Sequence, residues 1–250
     1  MKYFLSAALF VLLPLISESR AQDVNFANVA AEVRTYTLIN QLSAERVLIG
    51  VDYALDNVGY VARTGKNSRV IHEHINKLSS RLEGVRAIII LSEKGLLIHD
   101  SFRYPAKVID LSDRDYFRQS RETSAVVIGD AAIGRTSGVP FIPVAKKVGD
   151  VTVVAIVSPH LLISSQTQCV SCVSAILRPD GSVLASFPPA AQIPPNVLSL
   201  PVLNKSEEGI DRANFLHSDT AIAWKQSALY PLIVLSAKGL ANTARVGFYD

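Results

Sequence analysis

Cysteine is nearly absent from this chain of 250 residues; only Cys169 and Cys172 occur. Their C-x-x-C spacing is followed by Val173 and not by histidine, so it is no haem attachment site. No second ligand pair lies near, so it is no zinc site. In an exported protein such a pair either closes a local disulfide or packs as two small side chains, and both readings stand at this point.

An excess of charge is missing too. Taking Lys2, Glu18 and Arg20 away with a leader leaves 23 basic and 21 acidic residues from 25 and 22, a net of +2. That balance argues against nucleic-acid and anionic-membrane partners. The usual catalytic motifs are lacking. There is no Gly-x-Ser-x-Gly elbow, no Ser-x-x-Lys and no dinucleotide fingerprint. His72 and His74 stand two apart, which on a helix puts them on different sides and not on one metal-binding face. Thr64-Gly65-Lys66 fails as a phosphate loop because Tyr60 stands where its first glycine belongs and Asn67 replaces the hydroxyl residue. Neither an enzyme, a cofactor nor a metal is expected.

Only one long apolar run is present, and it is short for a membrane span. Lys2, the apolar stretch Tyr3 to Ile16 and Ser19-Arg20-Ala21 read as a secretory signal cleaved after Ala21. The product is then periplasmic or secreted; the alternative is an uncleaved segment anchoring the chain to the inner membrane.

Beyond the leader the pattern is regular. Val29, Val33, Tyr36, Ile39 and Leu42, then Leu48, Val51, Leu55, Val58 and Ala62, step by three and four and predict one long helix from about 25 to 61. Arg63 to Asn67 ends it. Ile71, Ile75, Leu78 and Leu82 mark a second helix. The period then changes to that of strands. Val85–Leu91 and Leu96–Ser101 predict a hairpin. Ser112 is expected to cap a short helix over 113–122, with Asp115 completing a capping-box variant. Strands are expected over 125–133, 139–148 and 151–158. The order then recurs: a hairpin around Pro179-Asp-Gly181, a proline-rich loop over 188–201, and strands over 210–216, 220–226 and 232–237. The fold class is α+β, a long N-terminal helix followed by two tandem lobes, each with a mainly antiparallel five-stranded sheet. The expected divisions are a signal peptide (1–21), a helical region (22–84), a membrane-distal lobe (85–165) and a membrane-proximal lobe (166–250).

Asp113-Arg-Asp-Tyr-Phe117, Ile128-Gly129, Arg135-Thr-Ser-Gly138, Pro140-Phe-Ile-Pro143, Arg178-Pro-Asp-Gly-Ser-Val-Leu-Ala185 and Tyr230-Pro-Leu-Ile-Val234 occur in that order. Together they resemble the motifs of double Cache (PAS-like) domains, the extracytoplasmic sensors of bacterial chemoreceptors, sensor histidine kinases and diguanylate cyclases. The resemblance spans nearly the whole chain after the leader. Its first motif matches the DRDYF element of that family. It implies a sensor for signal transduction with its ligand in the distal lobe. Members of the family continue into a second membrane helix and an output domain. This sequence stops at Asp250, so the expectation is an exported module that signals through a partner, a membrane sensor kinase or diguanylate cyclase.

In such a pocket Arg114 and Arg135 are the expected anion partners, since a guanidinium holds a carboxylate through two parallel bonds. Tyr116 adds a hydroxyl and an aromatic wall, and Ser137 and Gly138 donate from a turn. His99 and Ser101, two apart on a strand, share one face. The expected ligand is a small, anionic metabolite, an organic acid or an amino acid. The alternative is an interaction module without a ligand, which uses the long helix, on the face of Val51, Leu55 and Val58, to form a homodimer or to dock on a membrane receptor.

Overall fold

The computed structural model describes residues 8–134, 138–164, 172–189, 191–200, 206–215 and 218–240, with side chains from residue 23 onward. Arg135, Ser137 and Cys169 lie outside these residues. Cys172 is disulfide-bonded.

Helix α1 runs Ala8–Thr64, 57 residues. Among the described residues no helix is long and apolar enough to cross a membrane. Its far end breaks at Gly65, whose amide still reaches Val61 O at 2.8 Å. Asn67 then caps α2 (Ser68–Ser79) by accepting from Arg69 N and Val70 N, which satisfies two of the orphan donors of a first turn.

The burial of α1 corrects its expected phase. Val33, Leu48, Val51, Leu55 and Val58 are buried, but Ile39 and Leu42 are 38% and 56% exposed. Thr37, Asn40 and Gln41 take the inward positions instead. Each has a polar task there. Thr37 Oγ1 donates to Val33 O and Ala223 O. Asn40 Oδ1 accepts from Ser164 N, and Gln41 Nε2 reaches Glu45 and Gln226 O. Val51, Leu55 and Val58 belong to the core shared by helix and sheets, so that face is not open to a second copy.

The distal sheet contains β1 (Val85–Leu91), β2 (Leu97–Asp100), β3 (Val127–Ile128), β4 (Ala132–Ile133), β5 (Pro140–Val148) and β6 (Val151–Val157). The proximal sheet contains β7 (Cys172–Leu177), β8 (Val183–Phe187), β9 (Glu208–Phe215), β10 (Ser218–Gln226) and β11 (Ile233–Gly239). Their orders are β2-β1-β6-β5-β3, with β4 also on β5, and β8-β7-β11-β10-β9. With β3 and β4, which both pair with β5, counted as one strand and the strands numbered within each lobe, both read 2-1-5-4-3. The sequence repeat is therefore a repeat of topology. All pairings among these strands are antiparallel.

Strand alternation divides the distal sheet into two faces. Ile88, Ile90, Ile142, Val144, Val153 and Ala155 face α1 and α2 in the largest core cluster. Leu91, Leu97, Val127, Ala145 and Val154 face the other way, with Tyr116 and Phe117. The last two sit on α3 (Asp115–Ser120). This helix is shorter than expected, and Arg114, not Ser112, occupies its N-cap position without a side-chain cap. Ser112 is held elsewhere. Its amide bonds Asp110 Oδ1 at 2.9 Å, and it packs against Gly95, whose φ of +80° forms the hairpin turn. The expected strand over 125–133 is split into β3 and β4. The described part of the proline-rich loop of the proximal lobe carries a short helix, α4 (Pro195–Leu198).

Candidate functional site

The face of the distal sheet opposite α1 is only partly covered by α3. What remains is a cleft of about 360 Å3. Its floor is apolar: Ile89 on β1, Leu97 on β2, Phe141 and Pro143 on β5, and Ile156 on β6. Ile109 and Leu111 form one wall, and Asp130, which precedes β4, with Ala132 and Ile133 of β4 and Gly134 after it, forms the other. Gly129 permits this geometry. A Cβ there would meet Pro143 Cγ at 2.8 Å and Tyr116 Cβ at 3.0 Å, so the turn fits under Tyr116 only without a side chain.

The polar groups sit on the rim. Among the described residues Arg114 contributes the one guanidinium of the lining, against the carboxylates of Asp100, Asp113, Asp115 and Asp130. Arg114 Nε lies 3.7 Å from Asp113 Oδ1, and the side chain is 30% exposed. Asp115 pairs with Arg118. Asp100 Oδ1 accepts from Phe102 N at 2.8 Å. Asp130 pairs with Arg178 of the proximal lobe.

Of the residues expected from sequence, Arg114 and Tyr116 are brought together on the cleft. Gly138 is exposed, with φ +65°, and its amide donates to Gly134 O at 2.8 Å. This holds it beside the cleft wall, although it does not line the cleft. His99 and Ser101 do share a face, but it is the α2 face. His99 pairs with Ile90, which points into the helix side of the core. Burial, and then the neighbouring charge of His72, lower its imidazole below the ordinary value. Ser101 is buried; its Oγ accepts from Ile88 N at 3.0 Å, and its carbonyl accepts from Asn76 Nδ2 at 2.8 Å. Ser101 thus continues the ladder past the end of β2.

Sequence reasoning missed Asp100 and Asp130. A carboxylate at the end of a strand or in a turn reads as a solvated residue. The parity of β2 gave the available signal for Asp100, once its bulge is known.

No protein-family model matches the chain, and no curated protein shows significant similarity to it. Solved structures share its fold. The extracellular domain of rpHK1S-Z16, described as a histidine kinase, superposes with a TM-score of 0.74 at 24% identity, over 85% of this chain and 95% of its own. The ligand-binding domain of the Campylobacter jejuni chemoreceptor Tlp3, in complex with 4-methylisoleucine, gives 0.62 at 10%, over 92% and 96%. That of the Pseudomonas fluorescens chemoreceptor CtaA, in complex with L-serine, gives 0.61 at 14%, over 85% and 98%. The likeness at these identities is one of fold, the two-lobed fold of extracytoplasmic sensor domains implied by the double Cache resemblance.

Proposed function

We propose that this chain is an exported sensor module whose distal cleft binds a small zwitterion, an α-amino acid, and whose state is read by a partner protein. The observation that carries this is the composition of one cleft. An apolar floor large enough for a small side chain is rimmed by the Arg114 guanidinium and by carboxylates at Asp100 and Asp130. A guanidinium matches a carboxylate and a carboxylate matches an ammonium, so the lining suits both ends of an amino acid. Among the described residues a purely anionic ligand would meet four carboxylates and one guanidinium. Two solved structures of this fold hold 4-methylisoleucine and L-serine, which supports the same class. Neither catalysis nor a cofactor is invoked. The ligand acts by preferring one of two arrangements of the lobes. The reader is a membrane sensor kinase or diguanylate cyclase, and the site of action is the periplasm.

A thermal-shift screen of amino acids and organic acids tests this. Ligand at a hundred times its Kd adds about 2.7 kcal/mol, or about 5–10 °C for a domain of this size. Arg114→Ala is expected to abolish the shift while leaving the unliganded melting point nearly unchanged. A screen with no responder, or responders indifferent to Arg114→Ala, overturns the reading.

A second reading, an interaction module, is favoured by a different observation. Leu38, Leu42, Ile49, Tyr53 and Tyr60 of α1 are 38% to 76% exposed as a set with Ile39. The first five step by four and seven, which returns to one side of a helix. This side, and not that of Val51, Leu55 and Val58, is the one available to a second copy.

A further inference from the structure

Asp130 belongs to two structures at once. It lines the cleft, and its Oδ1 accepts from Nη1 of Arg178. Arg178 follows β7 and opens the turn to β8, so the pair joins the distal lobe to the proximal one. Arg178 is only 20% exposed. Each other cleft carboxylate is engaged within its own lobe: Asp100 with Phe102 N, Asp113 with Arg114, and Asp115 with Arg118.

Arg178 also has a second partner in reach. Its Nη2 lies 3.5 Å from Asp180 Oδ2. Asp180 is fixed by Ser182, whose amide and hydroxyl donate to Oδ1 at 2.9 and 2.6 Å. A guanidinium released from Asp130 therefore keeps a carboxylate within its own turn, and the exchange strands no charge. There is room for the movement. A gap of about 320 Å3 lies beside Arg178, between Val127 and Ile128 of the distal lobe and Pro179 and Pro231 of the proximal one.

We propose that Asp130 is the specificity-determining carboxylate of the cleft, and that a ligand ammonium takes it from Arg178, so that binding exchanges an inter-lobe ion pair for a ligand contact. This rests on the reading of the cleft as the ligand site. It adds what the ligand must carry and which contact reports its arrival. Competition for one carboxylate is reciprocal: whatever strengthens the Arg178 pair weakens ligand, and the converse.

The test is calorimetric titration of wild type, Arg178→Ala, Arg178→Lys and Asp130→Asn. The probes are L-valine, L-leucine and L-serine, each beside the acid that lacks its amino group. Removing the competitor in Arg178→Ala is expected to tighten the amino acids roughly two- to five-fold, the scale of a partly exposed ion pair. The deaminated acids are expected to be unmoved. Arg178→Lys should stay near wild type, and Asp130→Asn should lose the amino acids more than about ten-fold. Amino-acid binding that Arg178→Ala leaves unchanged or weakens overturns the exchange and leaves the cleft a ligand site. Deaminated acids that bind as well as their parents also overturn it. Silence from every probe on every variant overturns the exchange together with the proposed ligand class.

Discussion

Lys146 on β5 donates its ammonium to Asp52 of α1 at 2.7 Å, and to Asp56 one turn on at 2.8 Å. Burial opposes the charge on Lys146, but the two carboxylates outweigh it and hold its pKa above the ordinary lysine value. The Lys146 side chain is 16% exposed and that of Asp52 33%. Residues on the opposite face of the same strand, Phe141 and Pro143, floor the cleft. The contact thus fastens the cleft sheet to the helix that also packs on the proximal sheet.

Lys146→Met should therefore destabilise the protein by about 1–2 kcal/mol. It leaves two carboxylates close together and partly shielded, less costly than a fully buried unpaired charge. The contrast is Arg46–Glu83, whose side chains are 71% and 68% exposed. Arg46→Ala should stay within about 0.5 kcal/mol of wild type. Urea unfolding of both variants checks the pair of expectations, and equal losses would show that burial does not set the difference.

The fold was legible wherever local chemistry and global order agreed. The turns at Gly95, Gly149 and Gly181 have φ between +65° and +86°, and each joins two strands whose alternation is plain in the sequence. Helix α1 was legible at its far end, but it begins at Ala8 and not near residue 25, and part of its phase was misread. Apolar side chains occur on more than one side of it, and the polar residues Thr37, Asn40 and Gln41 are the buried ones because the chain beside them needs hydrogen-bond partners. The site was half legible. Arg114 and Tyr116 fall on the cleft because α3 presents them there. His99 does not, for a reason of register: Leu91 pairs with Leu97 but Ile90 pairs with His99. The extra residue is Ile98. This bulge reverses the parity of β2 and sends His99 to the helices and Asp100 to the cleft. No periodicity in the sequence announces a bulge.

That placement gives His99 a pH signature. Burial and then His72 depress its folded pKa, while the unfolded chain takes up the proton near the ordinary value of about 6.5. Below that value the unfolded state binds more protons, so stability falls as pH falls. The contribution is fully present above about pH 6.5 and is lost as pH drops through the depressed folded value. Urea midpoints at pH 7.5 and 5.5 should differ less in His99→Gln than in wild type. An unaltered difference would assign the acid sensitivity to other groups.

Gly129→Ala probes the cleft from beneath. The new methyl would lie 2.8 Å from Pro143 Cγ and 3.0 Å from Tyr116 Cβ. Pro143 is fixed in β5 and Tyr116 in α3, so relief requires one of them to move. Overpacking of this kind costs about 1–3 kcal/mol. Displacement of Tyr116 also narrows the space beside Arg114. The melting point should fall and any ligand-induced shift should shrink; a variant as stable as wild type would mean that the turn gives way instead.

The exposed side of α1 yields the last expectation. From Leu38 to Tyr60 the stripe runs about 33 Å at 1.5 Å per residue, and Tyr53 and Tyr60 are 76% and 65% exposed. Aromatic and aliphatic side chains in such a row lose little by remaining in water singly and gain by being covered together. Leu42→Glu with Tyr53→Glu should leave unfolding of the monomer almost unchanged, because neither side chain is in the core. Leu55→Ala, in a fully buried position, should cost about 2–5 kcal/mol. If two copies pair along this stripe, sedimentation velocity shows a concentration-dependent dimer in wild type and in Leu55→Ala at temperatures where it is folded, and none in the double variant. A wild type that stays monomeric at high concentration removes the dimer reading. A double variant that still dimerises moves the interface off this side of the helix.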